Sequence, residues 1–179
     1  ALKGGAYTVT RVEEKERVKR PLPPFTTSSL QQEASTKLNF NTKKTMMIAQ
    51  QLYEGVDVKG QGTTGLVTYI RTDSVRISDV AKEAAKNMIL NDYGQQYLGT
   101  NVYTNKKKDI QDAHEAIRPS NPELKPDDIK ESLSKDQYNL YKLIWCRFTA
   151  SQMSHAVFDA VSADIVNNGY LFRATGSKL

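Results

Sequence analysis

Seven consecutive residues, Thr68-Tyr69-Ile70-Arg71-Thr72-Asp73-Ser74, carry a phenol, a guanidinium, a carboxylate and three hydroxyls. In an extended chain successive side chains alternate between faces, which puts Tyr69, Arg71 and Asp73 on one side. That trio suits phosphodiester chemistry. A tyrosine oxygen forms a covalent phosphate ester, and an arginine fork grips phosphate oxygens in pairs. A free phenol, with a pKa of about 10, is too weakly ionised for unaided attack at neutral pH, and a neighbouring guanidinium favours the phenolate. An ordinary surface loop with a half-buried tyrosine accounts for the same residues.

A second segment is Asp112-Ala113-His114-Glu115-Ala116-Ile117-Arg118-Pro119-Ser120. In a helical turn His114 and Arg118 stand at i, i+4 on one side. Histidine exchanges protons near neutral pH, and arginine binds phosphate. Pro119 ends the element directly after Arg118. A capped surface turn with a solvated histidine fits equally. Lys106, Lys107 and Lys108 suit either a DNA backbone or a solvated loop. His114 and His155 are far apart and their acidic neighbours lack a recognised ligand spacing, so no metal site is expected, and no phosphate-cradling glycine motif is present.

The elements that must position these groups follow from periodicity. Residues 6–12 read as a strand, Glu13 to Arg20 as a charged run, and Pro21-Leu22-Pro23-Pro24 as a linker or boundary. A helix is predicted from Thr27, with Thr27, Ser28 or Ser29 as cap, Gln31-Gln32 as capping amide, and Leu30, Ala34 and Leu38 on one face. Thr42 is expected to cap a second helix, with Met46, Ala49 and Tyr53 sharing a face and Gly55 ending it. Leu66 to Ile70 reads as a short strand. Ser78 is expected to cap a helix bearing Val80, Ala84 and Met88, and Ser134 another bearing Leu140, Ile144, Phe148 and Ser151. After Ser154 the period changes to two, and Asn168-Gly169 supplies a hairpin turn. The fold class expected is α+β, mainly α, with a helical block inserted into a β-domain built from both ends.

Composition narrows the classes further. Net charge is +5, compatible with nucleic acid but no demonstration of it. No apolar run approaches a membrane span and no secretory signal pattern opens the chain. The single cysteine, Cys146, excludes an internal disulfide and a cysteine-cluster zinc site, and its apolar surroundings predict a buried thiol in a reducing, cytoplasmic setting. Ala1 opens what reads as a segment already under way, and the closing Ser177-Lys178-Leu179, formally a peroxisomal address, reads as an accident of position.

Gly65-Leu66-Val67-Thr68-Tyr69-Ile70-Arg71-Thr72-Asp73-Ser74 resembles the active-site tyrosine motif of bacterial type IA DNA topoisomerases of the topoisomerase I branch. Ala113 to Ser120 resembles that family's second signature, and Pro24-Phe25-Thr26-Thr27-Ser28-Ser29-Leu30-Gln31-Gln32-Glu33-Ala34 its entry into the tyrosine-bearing domain. The three stand in the family's order across residues 24–120. Ile70, where the topoisomerase III branch has proline, and Glu115-Ala116-Ile117-Arg118 favour the topoisomerase I branch; reverse gyrase shares related motifs.

The resemblance implies an ATP-independent enzyme that cuts one DNA strand through a 5′-phosphotyrosine and relaxes negative supercoils by strand passage. It implies Tyr69 as nucleophile, with Arg71 and His114 as further catalytic residues and Thr72, Asp73, Ser74 and Arg118 as DNA-binding candidates. Residues 25–153 would be the tyrosine domain, and residues 1–24 and 154–179 part of a β-rich gate or arch. Magnesium would belong to an acidic TOPRIM domain outside these residues, and none would bind here. Expected partners are single-stranded DNA and the TOPRIM and C-terminal domains of the same polypeptide, with no membrane and a location at the bacterial nucleoid. A non-catalytic single-stranded-DNA-binding module is the rival reading.

Overall fold

Strands from near both ends of the chain pair in one antiparallel sheet. The computed structural model describes residues 4–104 and 114–179. The elements run β1 (Thr8–Lys19), α1 (Thr27–Leu38), α2 (Thr42–Glu54), β2 (Val56–Val58), β3 (Gly62–Thr64), α3 (Asp79–Asp92), α4 (Lys135–Gln152), β4 (Ala156–Asn167) and β5 (Tyr170–Lys178). The chain divides into a unit of Ala1–Arg20 with His155–Leu179 and a unit of Pro21–Ser154. The first is β-structure and the second carries the helices, so the chain is mixed α and β.

In the β unit the order is β1-β4-β5. β4 and β5 meet through Asn168 (φ 46°) and Gly169 (φ 80°), both left-handed, as a two-residue hairpin of the favoured twist requires. The register sets Asp164 opposite Arg173, and their side chains pair at 2.6 Å. The charged run Glu13–Arg20, expected to follow the first strand, instead continues it to Lys19. Glu13, Lys15 and Arg17 pair with Ser162, Ala160 and Phe158, and nearly every β1 residue is exposed. A solvated edge strand tolerates such charge, which also discourages pairing with other chains.

In the helical unit each of the four α-helices begins on a side-chain cap, one residue earlier than expected for the first two. Thr26 caps α1 in a reciprocal box with Ser29 rather than with a glutamine, and Asn41 caps α2. Ser78 and Ser134 cap α3 and α4 as the sequence predicts, the latter in a box with Gln137. These bonds satisfy amide hydrogens that a helix start leaves free.

Leu30 and Ala34 of α1, Ile48, Ala49 and Leu52 of α2, and Leu140, Tyr141, Ile144 and Trp145 of α4 form one core with Phe25, Leu66, Val67, Ile70 and Ile117. The α2 and α3 faces are rotated in part from those expected, with Ala49 and Met88 buried as predicted. Tyr53 is 39% exposed and Val80 82%, while Thr45, Ile48 and Leu52, and Ala81, Ala85 and Ile89, turn inward. A partly buried Arg147–Glu33 ion pair ties α4 to α1, with the Arg147 guanidinium 4.4 Å from the centroid of the Phe25 ring. Cys146, expected buried, is exposed: Ile144 and Trp145 take the inward face and the next position rotates to solvent.

Candidate functional site

Residues 66–74 form no strand. Their ladder contact is one isolated bridge, Val67 with Pro119. Yet the alternation expected of a strand persists: Ile70, Thr72 and Ser74 are buried, whereas Tyr69, Arg71 and Asp73 are exposed. The segment is held extended by partners outside any sheet. Thr68 N–H donates to Arg118 O at 3.0 Å, and Thr68 Oγ1 donates to Ala116 O at 2.7 Å. Arg118 N–H donates to Thr68 Oγ1 at 3.0 Å. Ile117 bridges Phe25 in the same way. The helical turn expected at His114–Arg118 is therefore an extended stretch laid against the tyrosine segment. Phe25, Val67 and Ile117 are buried together in the core, and Pro119 precludes a ladder donor at its own position.

Tyr69 is 45% exposed, and its ring meets Tyr53 edge-on at 5.5 Å between centroids and 67° between planes. Such tilted pairs are favoured over face-to-face stacking. Neither the Tyr69 hydroxyl nor the Arg71 guanidinium has a side-chain partner among the described residues. Arg71, Thr72, Asp73 and His114 line an open groove of about 410 Å³ together with Thr27, Ser28 and Gln31 of the α1 N-terminus. The groove thus brings one guanidinium, one imidazole and the start of α1 beside one carboxylate, Asp73, and its guanidinium and helix start are groups suited to phosphate. Tyr69 and Arg118 are not among the groove's lining residues.

The predicted site residues separate into two groups. Tyr69, Arg71, Asp73 and His114 are exposed, the last three around one groove. Arg118 is turned inward: its Nη2 lies 2.5 Å and its Nε 3.0 Å from Glu115 Oε2, and its Nη1 donates to Pro119 O at 2.9 Å. Burial opposes the Glu115 charge, but hydrogen bonding to Ser78 and Arg118 and the Arg118 charge outweigh it and hold the carboxyl below its ordinary range. Thr72 Oγ1 accepts from Ser74 N–H at 3.0 Å, and Ser74 Oγ accepts from Arg76 N–H at 3.1 Å, so these hydroxyls shape the loop.

The sequence by itself assigns no role in the site to Glu115, Tyr53 or Thr27. The i, i+3 spacing of Glu115 and Arg118 was a visible signal for their pair; nothing local joins Tyr53 or Thr27 to the tyrosine segment. Lys106 to Lys108, Asp112 and Ala113 lie outside the described residues. Among the described residues no three His, Cys, Asp or Glu side chains group as a metal site requires. Among the described residues no helix is long and apolar enough to cross a membrane.

A family model described as DNA topoisomerase matches residues 1–179. The solved structure of full-length topoisomerase I from Thermotoga maritima, in a monoclinic crystal form, is similar at 41% identity and a TM-score of 0.85 over 99% of this chain. The chain spans 28% of the length of that protein.

Proposed function

This chain belongs to the bacterial DNA topoisomerase family, and from that membership we propose that it supplies the nucleophile half of a type IA active site. Tyr69 Oη attacks a backbone phosphorus, the bond from phosphorus to the 3′ oxygen breaks, and the 5′-phosphate is retained on tyrosine. The phenolic proton leaves the nucleophile, and the departing 3′ oxygen gains one. The same hydroxyl later reverses the ester, so no nucleotide is consumed. Passage of a second strand through the gap relaxes negative supercoils.

The observation that carries this reading is the pairing of an exposed, unbonded Tyr69 with an Arg71 that has no carboxylate partner among the described residues. Arg118, by contrast, is bonded to Glu115. An unpaired guanidinium two residues from a free phenol is suited to hold the scissile phosphate while charge builds on it. His114, across the groove, contacts the DNA beside the cut and positions or protonates it. Asp73 contributes to the same surface, Thr72 and Ser74 organise it, and Arg118 acts through the fold of the His114 segment. Magnesium and its ligands belong to a TOPRIM domain of the full-length enzyme, and single-stranded DNA is the bound form. Pro21–Ser154 is then the tyrosine domain, and the three-stranded unit is part of the gate.

The test mixes this chain with a separately made acidic domain of a bacterial topoisomerase I, magnesium and labelled single-stranded DNA. A covalent adduct on the 5′-phosphate side, lost in Tyr69→Phe, is expected. Adduct that survives Tyr69→Phe would sink the nucleophile assignment. DNA binding without adduct, with the same acidic domain active in its parent enzyme, would leave a single-strand-binding module.

A further inference from the structure

Outside a sheet, an extended segment must find partners for its backbone groups one by one. The stretch Ile70–Thr72 finds three in a single residue. Thr27, the first residue of α1, donates its N–H to Thr72 O at 2.8 Å. Its Oγ1 accepts from Thr72 N–H at 2.9 Å. The same hydroxyl donates to Ile70 O at 2.8 Å, with Thr72 O at 3.0 Å as a second acceptor. Arg71 is the residue between the two pinned peptide groups. On the other side of Tyr69, Thr68 is pinned to Ala116 and Arg118. Tyr69 and Arg71 therefore stand on a short span clamped at both ends by threonine hydroxyls, and the distal clamp is Thr27.

We propose that Thr27 is a positioning residue for strand cleavage: its hydroxyl fixes the peptide groups on either side of Arg71, and so the reach of Arg71 and Tyr69 toward one phosphate. This rests on the function proposed above. The N-terminus of α1 is already capped by the Thr26–Ser29 box, so the Thr27 hydroxyl is not needed for the start of the helix and is committed to the tyrosine segment. Its β-branched side chain has few rotamers, which aims the hydroxyl. Valine has the same shape and no hydroxyl; serine keeps the hydroxyl and loses the methyl.

Two measurements test the clamp. In the mixture of chain, acidic domain and DNA, Thr27→Val is expected to slow adduct formation at saturating DNA on the order of 10- to 100-fold, the range a misplacement of about 1 Å produces. The half-saturating DNA concentration should change little, and Thr27→Ser should restore most of the rate. A Thr27→Val chain that melts like the original and cleaves at the original rate would overturn the proposal, as would a Thr27→Ser chain as slow as Thr27→Val. The second measurement uses the chain alone. Amide hydrogen exchange at Thr72 should accelerate in Thr27→Val while core amides of α4 stay protected. If the unsubstituted mixture gives no adduct, the functional reading fails on its own, and exchange still decides the clamp: an equally protected Thr72 amide in Thr27→Val rules it out.

Discussion

Arg71 and Arg118 were both expected to meet phosphate, and their surroundings divide them. Arg71 opens onto the groove without a carboxylate among the described residues, whereas Arg118 is bonded to Glu115 with side chains only 12% and 17% exposed. A guanidinium so engaged would have to abandon a short, partly dehydrated ion pair to reach DNA, and removing one partner from such a pair strands the other charge. The pair also gives the site an acid limit. Because the folded state holds the Glu115 carboxyl below its ordinary value of 4.5, the stability it contributes is complete above that value and is lost as pH falls through the depressed one. Urea unfolding of Glu115→Gln should show a loss of about 1–3 kcal/mol at neutral pH and a flatter acid limb. An acid limb identical to that of the unsubstituted chain would show that Glu115 is not linked to folding.

Among the elements, the β4–β5 hairpin was the most legible, because a two-residue turn with two left-handed positions admits few residues. Gly169, at φ 80° with open space where a Cβ would stand, serves the turn through its backbone alone. Gly169→Ala should cost about 1 kcal/mol, read as an earlier loss of β-sheet signal in urea, with the helical unit unchanged. An unaltered sheet transition would mean that the turn relaxes freely. The tyrosine segment is the opposite case. Its β-forming composition and its alternation are those of a strand, but its hydrogen bonds go to Thr27, Ala116 and Arg118, so β-propensity described the backbone conformation and not the pairing.

At the scale of the molecule, DNA affinity depends on where the charges lie more than on the sum of +5. Phosphate contacts release counterions, and each is worth about 0.7 in the slope of log affinity against log salt for single strands. The chain alone is expected to bind single-stranded DNA more weakly as salt rises, to form no adduct, and to lose about 0.7 of that slope in Arg71→Ala. Tyr69→Phe should leave the slope untouched. Affinity indifferent to salt, or a slope unchanged in Arg71→Ala, would remove Arg71 from the DNA surface.

Sequence by itself determined what depends on near neighbours: the Ser78 and Ser134 caps, the buried stripe of α4, the Asn168-Gly169 turn, and the tyrosine and histidine motifs with their family resemblance. Each is decided within one or two turns of chain, where residue type fixes backbone conformation directly. The α2 and α3 faces, the exposure of Cys146 and the extended His114–Arg118 stretch were settled by tertiary packing. A helix shows which residues share a face but not which face its neighbours will cover. The gathering of Arg71, Asp73 and His114 at the start of α1, and the hand of Thr27 on Ile70 and Thr72 across more than forty residues, likewise belong to the tertiary structure. Partners for unpaired peptide groups are chosen by the whole fold, and no local spacing encodes them.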